Sequence, residues 1–83
     1  MEKQMKIEIY SKAGCSYCEK AKNHFKRENY AYVEHDLLQE GVKDHLVSRL
    51  PAGYPLKQVP QIFVDDKHIG GYMDTVEWLL ANR

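Results

Sequence analysis

Two cysteines in the motif Cys15-Ser-Tyr-Cys18 lie where a strand pattern gives way to a helix pattern. Before them, Lys6–Tyr10 alternates polar and apolar residues, which is typical of a half-buried strand. After them, apolar residues recur at helical spacing from Cys18, so a helix is predicted from Cys15 to about Asn29. This order places the Cys15 thiol at a helix N-terminus and the Cys18 thiol one turn inside.

The rest of the chain alternates strand and helix patterns. The predicted elements are a strand at Tyr30–Asp36, a helix at Glu40–Leu50, a strand at Val59–Asp65, a short strand at His68–Ile69 and a helix through Val76–Leu80. The apolar faces of these two helices are marked by residues at helical spacing, which are Val42, Leu46, Val47 and Leu50 in the first and Val76, Leu79 and Leu80 in the second. Asp74 and Glu77 have capping-box spacing, which predicts that the last helix starts at Asp74. The order β-α-β-α-β-β-α over residues 1–83 predicts a single α/β domain, with a mixed four-stranded sheet and three helices.

The composition excludes several kinds of partner. Twelve Lys plus Arg balance twelve Asp plus Glu, which argues against a nucleic-acid or polybasic membrane partner. The amino end lacks the apolar core of a signal peptide, and no run reaches membrane-spanning length. We therefore expect a cytoplasmic protein in a reducing compartment, where a dithiol stays available for exchange.

The two thiols are predicted to act chemically rather than structurally, because a bridge between them closes only a tiny loop. Helix N-terminal amides and nearby Lys12 are expected to lower the pKa of Cys15 below the roughly 8.5 of free cysteine. Cys15 is then the attacking thiol, and the more buried Cys18 resolves the mixed disulfide. Half of a zinc site is the alternative, although no second cysteine pair follows. His24, His35, His45 and His68 are predicted to have surface or half-buried roles rather than catalytic ones.

Three separated motifs together resemble the small dithiol glutaredoxins of bacteria and their viruses. These motifs are Gly14–Cys18, Val59–Asp65, and His68–Tyr72 with Asp74. The resemblance covers nearly the whole chain and implies a thioredoxin-like fold. It also implies a cis peptide bond between Val59 and Pro60 that faces the dithiol.

The resemblance further implies a glutathione-binding site. Its residues would be Lys12, Tyr17, Val59, Pro60, Gly71, Tyr72 and Asp74. Lys12 would pair with the glycyl carboxylate, Asp74 would take the ammonium, and amides at Gly70–Gly71 would receive the γ-glutamyl carboxylate. Simpler roles stay open: an exposed charge for Lys12, a helix cap for Asp74 and a turn for the two glycines.

The implied activity is glutathione-dependent reduction of protein disulfides and glutathione mixed disulfides, by a monomer that requires no metal. Ribonucleotide reductase would be a client protein. The sequence departs from the family at Ser16, where a proline is usual, and at Gln58 and Met73, where threonine is common. Because some family members with Ser or Gly at the position of Ser16 bridge a two-iron, two-sulfur cluster, a cluster-binding module stays open as an alternative. A redoxin that is reduced by thioredoxin reductase is a second alternative, because some glutaredoxin-like proteins use that electron source.

Overall fold

The computed structural model describes residues 3–83, and the order of elements is the predicted one. The elements are β1 (Lys3–Ser11), α1 (Ser16–Arg27), β2 (Tyr30–Asp36), α2 (Val42–Arg49), β3 (Gln61–Val64), β4 (Lys67–Gly70) and α3 (Tyr72–Ala81). Within residues 3–83, no helix has both the length and the apolar character that a bilayer crossing needs.

The four strands form one mixed sheet in the order β2-β1-β3-β4. β1 pairs parallel with β2, as a strand–helix–strand crossover requires, and antiparallel with β3. β3 pairs antiparallel with β4 across the turn at Asp65 and Asp66. The neighbouring positions of β1 and β3 bring the end of β1 beside the start of β3, where Tyr10 is paired with Gln61.

Helices cover both faces of the sheet. On one face, α1 and α3 pack over Ile7 and Ile9 of β1 through Phe25 and Leu79, and Ala21 allows close approach. On the other face, α2 packs through Leu46 against Tyr10 and Phe63. Alternate residues of β1 therefore serve two separate cores, and the dithiol lies at the start of α1 on the first face.

An ion pair ties α2 to the middle of the sheet. The Arg49 guanidinium donates from Nη1 and Nη2 to the two carboxylate oxygens of Glu8, each over 2.9 Å. It lies 4.0 Å above the Phe63 ring centroid. Glu8 is only 6% exposed, and its hydrogen bonds from Arg49 and then from His35 lower its pKa to about 2. This bidentate contact fixes the position of the last turn of α2.

The structure corrects the predicted start of α3. The helix begins at Tyr72 with Gly71 as its N-cap residue, so Asp74 is the third helical residue rather than the cap. The Asp74 carboxylate Oδ2 accepts the Gly71 N–H over 3.0 Å and still satisfies the helix start from inside the first turn.

Three smaller expectations also need correction. β3 begins at Gln61, two residues later than predicted, because Val59 and Pro60 belong to the preceding loop. Val47 and Leu80, which we placed on apolar helix faces, are exposed. Both follow a true core residue directly, so helical spacing alone assigned them to the buried stripe.

Candidate active site

The two cysteines lie at the start of α1 in unequal environments. Cys15 is the N-cap residue with extended backbone, and its Sγ accepts the backbone N–H of Cys18 over 3.1 Å. Cys18 is fully buried, whereas Cys15 is partly exposed. The two are joined as a disulfide, with a Cα–Cα distance of 5.3 Å. An incoming group therefore meets the sulfur of Cys15, with Cys18 directly behind it.

The loop before β3 faces this dithiol from the far half of the chain. The Val59–Pro60 peptide bond is cis, as the resemblance implied. The carbonyl oxygen of Val59 lies 3.8 Å from the Sγ of Cys15. Pro60 is buried and Val59 is half-buried, so the backbone of Val59 forms one wall beside the reactive sulfur.

A first groove, which we call the tyrosine groove, opens on one side of Val59 with a volume of about 260 Å³. Its lining residues are Tyr17, Gln58, Val59, Tyr72, Met73 and Asp74. The Tyr17 and Tyr72 rings lie 5.2 Å apart between centroids and present an aromatic wall. Four of the residues predicted for glutathione, Tyr17, Val59, Tyr72 and Asp74, are thus brought together here.

Two glycines, Gly70 and Gly71, precede α3 and lie close to the Asp74 side chain. A Cβ on Gly70 would lie 2.2 Å from Asp74 Oδ2, and the φ of Gly70 is +118°, so only glycine fits there. The Gly71 N–H donates to Asp74, which differs from our expectation that this amide is left for a ligand. The amides without an intrahelical acceptor belong instead to the first turn of α3, at Tyr72, Met73 and Asp74.

A second groove, which we call the lysine groove, opens on the other side of Val59 with a volume of about 370 Å³. Its lining residues are Lys12, Leu37, Leu38, Lys43, Leu56, Lys57, Gln58 and Val59. Lys12 and Val59 therefore line the same groove. Among residues 3–83, no hydrogen bond joins Lys12 to Cys15. The expected effect of Lys12 on the pKa of Cys15 is electrostatic and needs no hydrogen bond, so it stays a prediction.

Comparison with known proteins agrees with this geometry. The glutaredoxin family model matches residues 7–69. The chain belongs to the glutaredoxin family. It is 39% identical to glutaredoxin 1 of Escherichia coli strain K12 over 84 residues, which covers 94% of this chain and 96% of that protein.

Solved structures of glutaredoxins share the fold as well. Oxidised Escherichia coli glutaredoxin superposes with a TM-score of 0.74 at 37% identity, covering 93% of this chain and 95% of that one. A buckwheat glutaredoxin–glutathione complex superposes with a TM-score of 0.74 at 29% identity, covering 92% and 69%. Family membership and the Cys15–Cys18 pair together make this glutaredoxin a thiol-disulfide oxidoreductase.

A buried polar network behind the Val59 wall of this glutaredoxin was not predicted. Gln61 is fully buried, and its Nε2 donates to the carbonyl oxygen of Gln58 over 3.0 Å. The Gln61 Oε1 can then only accept a hydrogen bond, and it lies 2.7 Å from His68 Nε2. The proton of this hydrogen bond therefore belongs to His68 Nε2. Burial lowers the pKa of His68 and favours this neutral ring. A glutamine inside an otherwise apolar strand was the sequence signal for the network.

His24 is a second contributor that the sequence pattern did not reveal. Its Nε2 lies 3.0 Å from the Tyr72 hydroxyl. A residue of α1 therefore positions the Tyr72 ring, which belongs to α3 and lines the tyrosine groove. The contact joins positions 48 residues apart, which local periodicity does not report. No group of three or more His, Cys, Asp or Glu side chains within residues 3–83 is arranged to hold a metal ion.

Proposed function

We propose that this chain is a glutathione-dependent oxidoreductase that reduces protein disulfides and glutathione mixed disulfides. The observation that carries the proposal is the position of Cys15 Sγ, which accepts a helix-start amide and faces the Val59 backbone between two grooves. An amide that donates to sulfur stabilises a thiolate, which is the form that attacks a disulfide.

The proposed cycle starts with the reduced dithiol. The Cys15 thiolate attacks one sulfur of a client disulfide, and the other client sulfur leaves as a thiolate with the electron pair of the broken bond. Cys18 then attacks the Cys15 sulfur of the mixed disulfide, which releases the reduced client and leaves the Cys15–Cys18 bond. One glutathione thiolate opens that bond at Cys15, and a second removes the adduct as glutathione disulfide.

Glutathione bound across Val59 would use both grooves. Its cysteinyl backbone would pair with the Val59 amide and carbonyl as a short added strand. Its glycyl carboxylate would reach Lys12 in the lysine groove, and its ammonium would reach Asp74 at the end of the tyrosine groove. The first-turn amides of α3 would receive the γ-glutamyl carboxylate. The buckwheat glutaredoxin–glutathione complex supports glutathione as the ligand, because it is a family member with glutathione bound.

The remaining parts of the proposal concern the cellular setting. The chain would act as one glutaredoxin domain over residues 1–83, as a monomer in the cytoplasm, with no metal. Its clients would be disulfide-containing or glutathionylated proteins, with ribonucleotide reductase as a candidate by family analogy. Neither nucleic acid nor membrane would take part.

A coupled assay tests the electron source. Reduction of a glutathione mixed disulfide is monitored through NADPH oxidation, with glutathione plus glutathione reductase in one arm and thioredoxin reductase in the other, and each arm is run with and without EDTA. We expect turnover in the glutathione arm alone, unaffected by the chelator. Turnover that depends on thioredoxin reductase, with none on glutathione, would refute glutathione dependence and leave the thiol-disulfide chemistry in place.

A further inference from the structure

The lysine groove offers more positive charge than glutathione requires. Glutathione has one glycyl carboxylate on this side of its cysteine, and Lys12 is enough to pair with it. Lys43 on α2 and Lys57 on the loop before β3 line the same groove, and no acidic residue lines it with them. The groove is also larger than the tyrosine groove, about 370 Å³ against about 260 Å³.

The charge of this groove is not neutralised within the described part of the chain. Two lysines elsewhere have acidic partners: Lys6 pairs with Asp66, and Lys22 pairs with Glu34. Across residues 3–83, no carboxylate lies within ion-pair distance of the three lysines of the groove. A ligand with carboxylates on this side would therefore find the cations unoccupied.

The floor of the groove is apolar. Leu37 and Leu56 pack against the core under α2 and are only half-buried, so part of each side chain faces the groove. Leu38 is 71% exposed beside them. Leucines flanked by lysines complement a peptide segment that alternates apolar and acidic residues.

The groove continues directly from the reactive sulfur. Val59 lines the groove, and its carbonyl oxygen lies 3.8 Å from Cys15 Sγ. An extended client segment that pairs with the Val59 backbone and presents its cysteine to Cys15 would run into the groove. In the proposed glutathione pose the glycine after the cysteine points toward Lys12, so the client residues in question follow its cysteine.

We propose that the lysine groove binds the segment that follows the reactive cysteine of a client protein, and that it selects segments of alternating acidic and apolar residues. The inference rests on the proposed function and adds a client preference that glutathione itself does not require. Lys43 and Lys57 would act on client proteins, whereas Lys12 would serve both kinds of substrate.

Peptide mixed disulfides test the preference without glutathione. Each peptide has one cysteine in a disulfide with thionitrobenzoate. The reduced protein is added to the peptide in small molar excess over the peptide. The Cys15 thiolate forms a disulfide with the peptide sulfur, and the thionitrobenzoate thiolate leaves with the electron pair and is measured by absorbance. Three peptides are compared. In the first, alternating leucine and aspartate follow the cysteine; in the second, alternating leucine and lysine follow it; in the third, the leucine–aspartate segment precedes it. Each rate is divided by the rate of the same peptide with dithiothreitol, which removes differences in intrinsic reactivity.

We expect the peptide with the acidic segment after its cysteine to react about tenfold faster than the lysine peptide, as two or three exposed ion pairs allow. The preference should shrink at about 1 M salt, where screening acts within about 3 Å. The double variant Lys43→Glu, Lys57→Glu should lose it. Lys67→Glu is the matched control and should keep it, because Lys67 pairs with Val64 at the opposite end of the sheet.

Equal normalised rates for all three peptides would overturn the proposal, as would loss of the preference in Lys67→Glu. A rise in the KM for glutathione in the double variant, comparable to its loss on the acidic peptide, would also overturn it by assigning both lysines to glutathione. Release of no thionitrobenzoate from any peptide would instead contradict Cys15 as nucleophile, and the proposed function would fail with it.

Discussion

At the scale of single residues, Asp74 has two candidate roles that one substitution separates. Its carboxylate accepts the Gly71 N–H at the start of α3, and it lines the tyrosine groove where the ammonium of glutathione is proposed to bind. Asparagine keeps an oxygen for the amide and removes the charge, whereas alanine removes both. The two variants therefore report the cap and the ligand contact separately.

We expect Asp74→Asn to raise the KM for glutathione about tenfold, the usual worth of a charge-assisted hydrogen bond, with little change in Tm. Asp74→Ala should raise the KM similarly and also lower the Tm, because the Gly71 N–H loses its acceptor. Steady-state kinetics with thermal unfolding measures both quantities. An Asp74→Asn variant with the KM of the wild type would leave Asp74 as a helix cap alone.

At the scale of elements, α2 depends on an ion pair that sequence periodicity does not reveal. The Glu8 carboxylate, held by Arg49, has a pKa of about 2 in the folded protein against 4.5 as its ordinary value. A depressed pKa contributes stability that is fully present above pH 4.5 and is lost as the pH falls through about 2. The difference corresponds to about 3 kcal/mol at most.

The free energy of unfolding, measured with urea, should therefore fall from pH 7 to pH 3 in the wild type. The fall should be smaller in Glu8→Gln. The variant itself should be less stable at pH 7 by about 3 kcal/mol, because the Arg49 charge stays buried without its partner. Asp66 lies 3.3 Å from Arg49 and His35 lies 3.1 Å from Glu8, so the difference between the two proteins reports the Glu8–Arg49 pair together with these two neighbours. The same pH dependence in both proteins would show that the pair does not stabilise the folded state.

The elements also show what a sequence can and cannot predict here. Tyr30–Asp36 matches β2, and the helical stripe through Cys18 is the buried face of α1, because both patterns are local. The predicted start of α3 was wrong because Asp74 accepts a helix-start amide from the third helical position, whereas the capping-box pattern assumes that it is the N-cap residue. The contacts of Gln61 with His68, of His24 with Tyr72 and of Glu8 with Arg49 depend on which strands and helices become neighbours.

At the scale of the whole molecule, the site is assembled by the strand order. β1 lies beside β3, so Cys15 at the end of the first strand–loop unit meets Val59 and Pro60, which precede β3. The β4–α3 connection then brings Gly71 and Asp74 to the same edge. Family resemblance anticipated this convergence, whereas periodicity alone anticipated only the dithiol and its helix.

The central claim is that Cys15 attacks and Cys18 resolves, and single cysteine variants test it most directly. Steady-state rates are measured for Cys15→Ser and Cys18→Ser on two substrates, a glutathione mixed disulfide and a protein disulfide. Cys15→Ser should lose both activities, whereas Cys18→Ser should keep the first and lose the second, because only the protein disulfide requires a resolving thiol. Equal loss on both substrates in the two variants, or activity retained by Cys15→Ser, would contradict the account.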